Sequence, residues 1–140
     1  MAKSVERDSA TAEKNRLHLH LHIQGAAILA IGIIAYAALG LKWWLFGVLI
    51  LAPDLSMLGY LANRHIGSIV YNIGHSFLWP AAFIIAAWPL GSPILLSVGI
   101  IWACHLGMDH LFGYGYKFPD RFKHTHFDAV RAAGVNPAEA

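Results

Sequence analysis

Ser92–Leu111 reads SPILLSVGIIWACHLGMDHL. At 1.5 Å of rise per residue, a helix of that length covers about 30 Å, the thickness of the hydrocarbon core of a bilayer. The run is apolar apart from Ser92, Ser97, His105, Asp109 and His110, and it carries the ionisable pair His105 and Asp109 on one face. Three more runs of similar length precede it: Ile23–Gly40, Trp43–Leu61 and Ile66–Trp88. The second contains Asp54 and the third His75. An ionisable group at membrane depth costs several kcal/mol, so such groups mark function by default. The fold class that follows is all-α: an integral membrane four-helix bundle with a buried polar site.

Composition agrees. The chain is 57% hydrophobic and 13% charged, with a mean hydropathy of +0.52. A soluble domain carries about twice that share of charge. No basic run with interleaved aromatics is present, which argues against nucleic acid as a partner. Cys104 is the single cysteine and lies inside the fourth run, so there is no disulfide framework. Residues 1–16 are polar and of mixed charge and read as a flexible cytoplasmic leader. Residues 17–116 form the four-span domain and residues 117–140 a cytoplasmic tail. The first apolar run is too long for a signal-peptide core and has no small-residue cleavage site after it, so it is kept as a span.

Basic residues set the orientation. Lys3, Arg7, Lys14 and Arg16 precede span one, Arg64 lies between spans two and three, and Lys117, Arg121, Lys123 and Arg131 follow span four. Lys42 alone falls on the opposite side. The positive-inside rule then predicts four crossings with both termini in the cytoplasm, in an inner (plasma) membrane. Trp43, Trp44 and Trp88 mark the outer interface, and Tyr60, Tyr114 and Tyr116 the inner one. Short connections predict an up-down-up-down order. Glycines in every span, Gly25, Gly32, Gly47, Gly59, Gly74, Gly99 and Gly107, would allow close helix contact.

Depth brings the polar groups together. Counted from the inner end of each span, Asp54 lies about 11 Å deep, His75 about 13 Å and His105 about 9 Å. The i,i+4 spacing puts His105 and Asp109 on one face of the fourth helix, and Asn72 and His75 share a face of the third, with Ser76 beside them. Pro53 removes a backbone donor just before Asp54 and kinks that helix, which frees a carbonyl and makes room. Two His and two Asp are a ligand set for zinc, manganese or iron. Three other readings stay open. One is a neutral hydrogen-bonded network that only fixes helix packing. Another is b-type haem held by His75 and His105 in an electron carrier. The third is a proton or ion path, which the apolar outer halves of the spans do not continue.

The remaining histidines lie toward the same side. His18, His20 and His22 read as an interfacial segment before span one, with metal collection as the alternative. His65 reads as a loop residue. His124 and His126 follow the last span and can fold back beneath the site as extra ligands or acid-base groups.

Phe46–Tyr60 (FGVLILAPDLSMLGY), Tyr71–His75 (YNIGH) and His105–Pro119 (HLGMDHLFGYGYKFP), with Thr125-His126 downstream, resemble DUF4260, an uncharacterised family of small bacterial integral membrane proteins. The resemblance covers nearly all of the chain from Leu17 and implies a membrane location. In motif order the chain is also similar to bacterial membrane proteins classed as metal-dependent hydrolases: Pro53-Asp54 on one helix, His75-Ser76 on the next, then His105–Asp109 followed by Gly113 and Pro119. That similarity implies a divalent metal on Asp54, His75, His105 and Asp109. Asn72, Ser76 and His126 would orient ligands or substrate, and the reaction would be hydrolysis of a lipid or lipid-linked ester. The expected partners are the lipid bilayer and a lipid substrate, with self-association into a homo-oligomer left open.

Overall fold

Two prolines set where the apolar runs stop being α-helix. A proline ring in a helix interior meets the carbonyl four residues earlier and lacks the donor that would close that turn. In the computed structural model, which describes residues 2–120 and 125–128, helix α2 (Trp43–Leu49) ends on the residue four before Pro53. The run then continues as a 3-10 helix, Ala52–Leu61. Helix α3 (Arg64–Gly74) likewise gives way at residues 75–77 before α4 (Leu78–Leu90), and Ser76 is the residue four before Pro80. Helices α1 (Ala2–Ala38) and α5 (Pro93–Phe112) are unbroken. Four stretches are long and apolar enough to cross a membrane: Asn15–Ala38, Trp43–Leu61, Arg64–Leu90 and Pro93–Phe112. The chain is therefore helical as the sequence predicts, and strand-type pairing among the described residues is confined to a β-bridge between Lys117 and Thr125.

Several features depart from the sequence reading. Helix α1 starts at Ala2, so the polar stretch expected as a flexible leader forms the first turns of a 37-residue helix that continues into span one. The 3-10 stretch is longer than the three or four residues usual for that geometry. Its steeper rise of about 2.0 Å per residue puts Asp54 about 14 Å from the end of the span, deeper than an α-helix would. Of the tail, Lys117, Thr125 and Phe127 are buried against the helices, whereas Arg121, Lys123, His124 and Arg131 lie outside the described residues.

Helix α5 is the centre of the molecule. It packs along α1 on one side and α4 on the other, while the 3-10 helix packs along α3. Half of the span formed by α5 is buried, against 11% of the first span. Glycines set the closest approaches. A Cβ at Gly107 would lie 2.8 Å from the Leu29 backbone nitrogen, and one at Gly25 would lie 2.5 Å from that of Leu111. Without side chains at these positions the two backbones touch, which maximises dispersion contact where lipid supplies no hydrophobic drive. Farther along the pair, Tyr36, Ile100, Ile101 and Cys104 form a buried cluster, with Leu45 and Phe46 of α2 packed on it. The Tyr36 hydroxyl donates to the Lys42 carbonyl at 2.8 Å, which ties the α1–α2 turn to the cluster.

A broken helix inside a bilayer must re-satisfy its freed backbone groups within the protein. Here two indoles do so. Trp79 Nε1 donates to the Ile73 carbonyl at 2.8 Å, and Trp102 Nε1, from α5, donates to the Gly74 carbonyl at 2.9 Å. Ser76 Oγ accepts from Leu78 N at 3.2 Å and starts α4. The break is thus a built feature, and it presents His75 at its edge.

Candidate metal centre

The two breaks and the unbroken α5 aim four side chains at one point. Asp54 follows Pro53 in the first turn of the 3-10 helix, His75 is the C-cap of α3, and His105 and Asp109 stand one turn apart on α5. His75 Nε2 lies 3.4 Å from Asp54 Oδ1 and 3.4 Å from Asp109 Oδ2. His105 Nε2 lies 3.6 Å from each of the same two oxygens. The two imidazole nitrogens are 3.2 Å apart, and the four donor atoms all lie within 4.8 Å of one another.

Those separations are longer than those of direct charge-assisted hydrogen bonds. A charge-assisted N–H···O bond would close to about 2.7–2.9 Å, whereas the nitrogen–oxygen distances here are 3.4–3.6 Å. Five of the separations lie between 3.2 and 3.6 Å and all four donor atoms within 4.8 Å of one another, close enough to share one cation. The ring tautomer fits as well. His75 Nδ1 lies 3.0 Å from the Tyr71 carbonyl, which can only accept, so Nδ1 carries the proton and donates it. In the neutral ring Nε2 is then a bare lone pair turned toward the carboxylates, the orientation a metal ligand needs. Ser56 Oγ, 3.3 Å from the same Nδ1, adds a second partner, and the Tyr71 ring stacks on His75 at 3.7 Å and 15°. His105 is fully buried, and among the described residues its Nδ1 has no hydrogen-bond partner. Four corners this close, two of them carboxylates, leave no plane between the imidazoles for a porphyrin.

One wall of the site is open. Asp54, Met57, Tyr71, Asp109, Tyr114 and Lys117 line a cavity of about 290 Å³. The Asp54 side chain is 38% exposed, while that of Asp109 is 13% exposed. The Tyr71 hydroxyl donates to Asp109 Oδ2 at 3.4 Å. The Lys117 ammonium sits 4.1 Å above the Tyr71 ring and 5.5 Å from that of Tyr60. Burial draws the Lys117 ammonium below its ordinary pKa, and the carboxylates of Asp109 and Asp54 oppose that shift.

The residues expected around the tetrad take other positions. Asn72 clamps the backbone of Lys117: its Nδ2 donates to the Lys117 carbonyl at 2.9 Å, and its Oδ1 accepts from the Lys117 amide at 2.7 Å. Ser76 caps α4. His126 does fold back, but onto His110, Tyr116 and Phe127, in a cluster that His18 and His22 join through Phe127. Burial holds the His126 imidazole below its usual pKa, against the pull of its hydrogen bond with Tyr116. Tyr71, Ser56 and Lys117 were not foreseen as site residues. Tyr71 had a signal, since it precedes His75 by one helical turn. Ser56 and Lys117 reach the site through the 3-10 geometry and a return loop, which spacing along a regular helix does not report.

The family model described as "Domain of unknown function (DUF4260)" matches residues 18–130, which contain all four residues of the tetrad. No curated protein and no solved structure matches the chain.

Proposed function

The chain belongs to the DUF4260 family, and from that premise we propose that it holds a divalent cation (zinc, manganese or iron) on Asp54, His75, His105 and Asp109 and hydrolyses an ester presented from the bilayer. The observation that carries the reading is the distance set of 3.2–3.6 Å among two nitrogens and two oxygens. Two carboxylates held this close, one of them buried, repel each other at a cost, and a bound cation would offset that cost. Such a cation would supply Lewis acidity toward an ester oxygen and would lower the pKa of a water.

The protein's own groups do the rest. The Tyr71 carbonyl and Ser56 fix the His75 ring, and the Tyr71 hydroxyl holds one oxygen of Asp109. Asp54, the most exposed of the four, stands where the centre meets the cavity. The order Pro53-Asp54, His75-Ser76, His105–Asp109 supports hydrolysis by analogy with membrane proteins of that class. In the proposed topology the chain crosses the inner membrane four times with both termini cytoplasmic. The cavity beside Lys117 then opens inward, within reach of lipid headgroups.

Elemental analysis of the purified, detergent-solubilised protein tests the reading. About one zinc, manganese or iron per chain is expected. A protein free of metal would leave the tetrad with only the packing role.

A further inference from the structure

We propose that Asp54 is the exchangeable member of the tetrad: His75, His105 and Asp109 keep the cation, and Asp54 yields its place to an anionic oxygen ligand that enters from the cavity. The inference rests on the metal reading above and adds how that same site admits a ligand.

The four donors are held unequally. His105 is fully buried, so its ring has no space to swing into. The His75 side chain is 4% exposed, and the Tyr71 carbonyl and Ser56 fix its Nδ1. The Asp109 side chain is 13% exposed, and the Tyr71 hydroxyl holds its Oδ2. Asp54 is 38% exposed, and the described polar contacts of its carboxylate are to His75 and His105. Outer partners orient a ligand and keep it on a metal. Among the described residues, Asp54 is the carboxylate of the tetrad that lacks such a partner.

The exchange asks only for rotation of a side chain. The backbone beneath it is held: Asp54 N donates to the Leu51 carbonyl at 3.1 Å. The 3-10 helix also lies close against α3, where a Cβ on Gly74 would come within 2.7 Å of the Ser56 Cβ. Asp54 and Asp109 both line the cavity of about 290 Å³, whereas neither His75 nor His105 does. The cavity therefore has room for a displaced Asp54 carboxylate and for the group that replaces it. An anionic oxygen repeats what it replaces, so the charge around the centre is unchanged by the exchange. A neutral ligand would leave the centre one negative charge poorer than at rest, in a region where water is scarce, at a cost. Four protein donors fill a tetrahedral shell, while catalytic zinc sites keep three and leave the fourth place to a ligand. Exchange at Asp54 turns the first arrangement into the second.

The test loads the full chain, in dodecyl maltoside, with cobalt(II), whose visible absorption reports the number and kind of its ligands. Metal content is measured on every sample, and affinity by competition with a metal indicator. Asp54→Ala should still take up cobalt, weakened by no more than about tenfold to a hundredfold, the range for loss of an outer partner. Asp109→Ala should weaken it further. Acetohydroxamate, an anionic oxygen donor, is then titrated. It should change the wild-type spectrum, and it should bind Asp54→Ala at least about tenfold tighter, since no carboxylate has to be displaced first. Nanodiscs of phosphatidylglycerol separate the sources of the oxyanion. A spectral change on transfer from maltoside to these nanodiscs assigns a lipid headgroup, and a change with acetohydroxamate alone assigns a soluble ligand. Three results overturn the proposal and leave the metal centre standing: a wild-type spectrum that neither probe alters, an Asp54→Ala variant that loses cobalt as fully as Asp109→Ala, or one that binds acetohydroxamate no tighter than wild type. Wild type that takes up no cobalt overturns the metal reading and the proposal with it. If Asp54→Ala does not fold, Asp54→Asn, which keeps the shape and loses the charge, takes its place in both titrations.

Discussion

His75 Nε2 faces His105 Nε2 across 3.2 Å, with an oxygen of Asp54 and one of Asp109 each 3.4–3.6 Å from both nitrogens. Two ring nitrogens this close need a proton or a cation between them. The two possibilities differ in what removal of one ring does. If a cation is shared, His105→Ala takes away a ligand and leaves two carboxylates poorly neutralised. Metal content should fall from about one per chain to near zero, and the melting temperature should fall with it. The loss of affinity should exceed the roughly 10–100-fold typical of removing an outer-shell partner. Elemental analysis and a thermal melt of the same preparation check both parts.

The paired variant Asp54→Asn with Asp109→Asn separates coordination from packing. Amides keep hydrogen-bonding capacity while removing buried negative charge. In a metal site the variant loses its ion and melts lower than loaded wild type, and a chelator lowers the wild-type melting point without moving the variant's. If chelation leaves wild type unchanged and the variant melts no lower, the tetrad is a packing device and the hydrolase reading is withdrawn.

The convergence of Asp54, His75, His105 and Asp109 was legible in the sequence because depth along a helix can be counted and three runs carried one or two polar residues each. Their surroundings were less legible. Asn72 and Ser76 were placed beside the site on the assumption that the third run is one continuous helix. The break at residues 75–77 cancels that rotational register, and the signal was Pro80, read four residues back. The partnership of α1 with α5 was equally hidden, since hydropathy says that a run spans but not which face meets which helix. The small residues Gly25, Gly32 and Gly107 were visible, but which helix each one meets is a fact of three dimensions.

Trp102→Phe should leave the Gly74 carbonyl without its donor at the edge of the break. An unpaired buried carbonyl costs about 1–3 kcal/mol, so the variant should be destabilised by that amount. Because Gly74 immediately precedes His75, metal affinity should weaken as well. Trp79→Phe, which frees the more exposed partner of Ile73, should cost less. Unfolding in mixed detergent and competition with a metal indicator measure the two effects, and equal losses in both variants would contradict the roles assigned to the indoles.

Gly107→Leu should separate α1 from α5. A Cβ there already lies 2.8 Å from the Leu29 nitrogen and 2.9 Å from the Gly25 carbonyl, and backbone cannot give way as a side chain can. The expected loss is at the upper end of the 1–3 kcal/mol usual for overpacking, or beyond it. Gly47→Leu, where nothing lies within 4 Å of the added carbon, should be near neutral. The comparison is made by unfolding in mixed detergent, and comparable losses at both positions would show that the close approach is not what holds the pair.

Reporter fusions check the proposed orientation. Alkaline phosphatase fused at the C-terminus should be inactive, and a fusion in the turn at Leu39–Lys42 should be active. Activity at the C-terminus would invert the chain and turn the cavity away from the cytoplasm.

The Gly25–Gly107 contact carries a consequence for biogenesis. Its two halves are separated by most of the chain, so α1 reaches the bilayer long before its partner exists. At translation speeds of roughly 5–20 residues per second, the 81 residues between those glycines represent about 4–16 seconds of waiting. Through that interval the glycine face of the first helix meets only lipid or a chaperone, and Asp54 and His75 enter the membrane before His105 and Asp109 have been made. The tetrad is therefore completed by the last helix, and an ion held there as proposed would report that synthesis and insertion have finished in order.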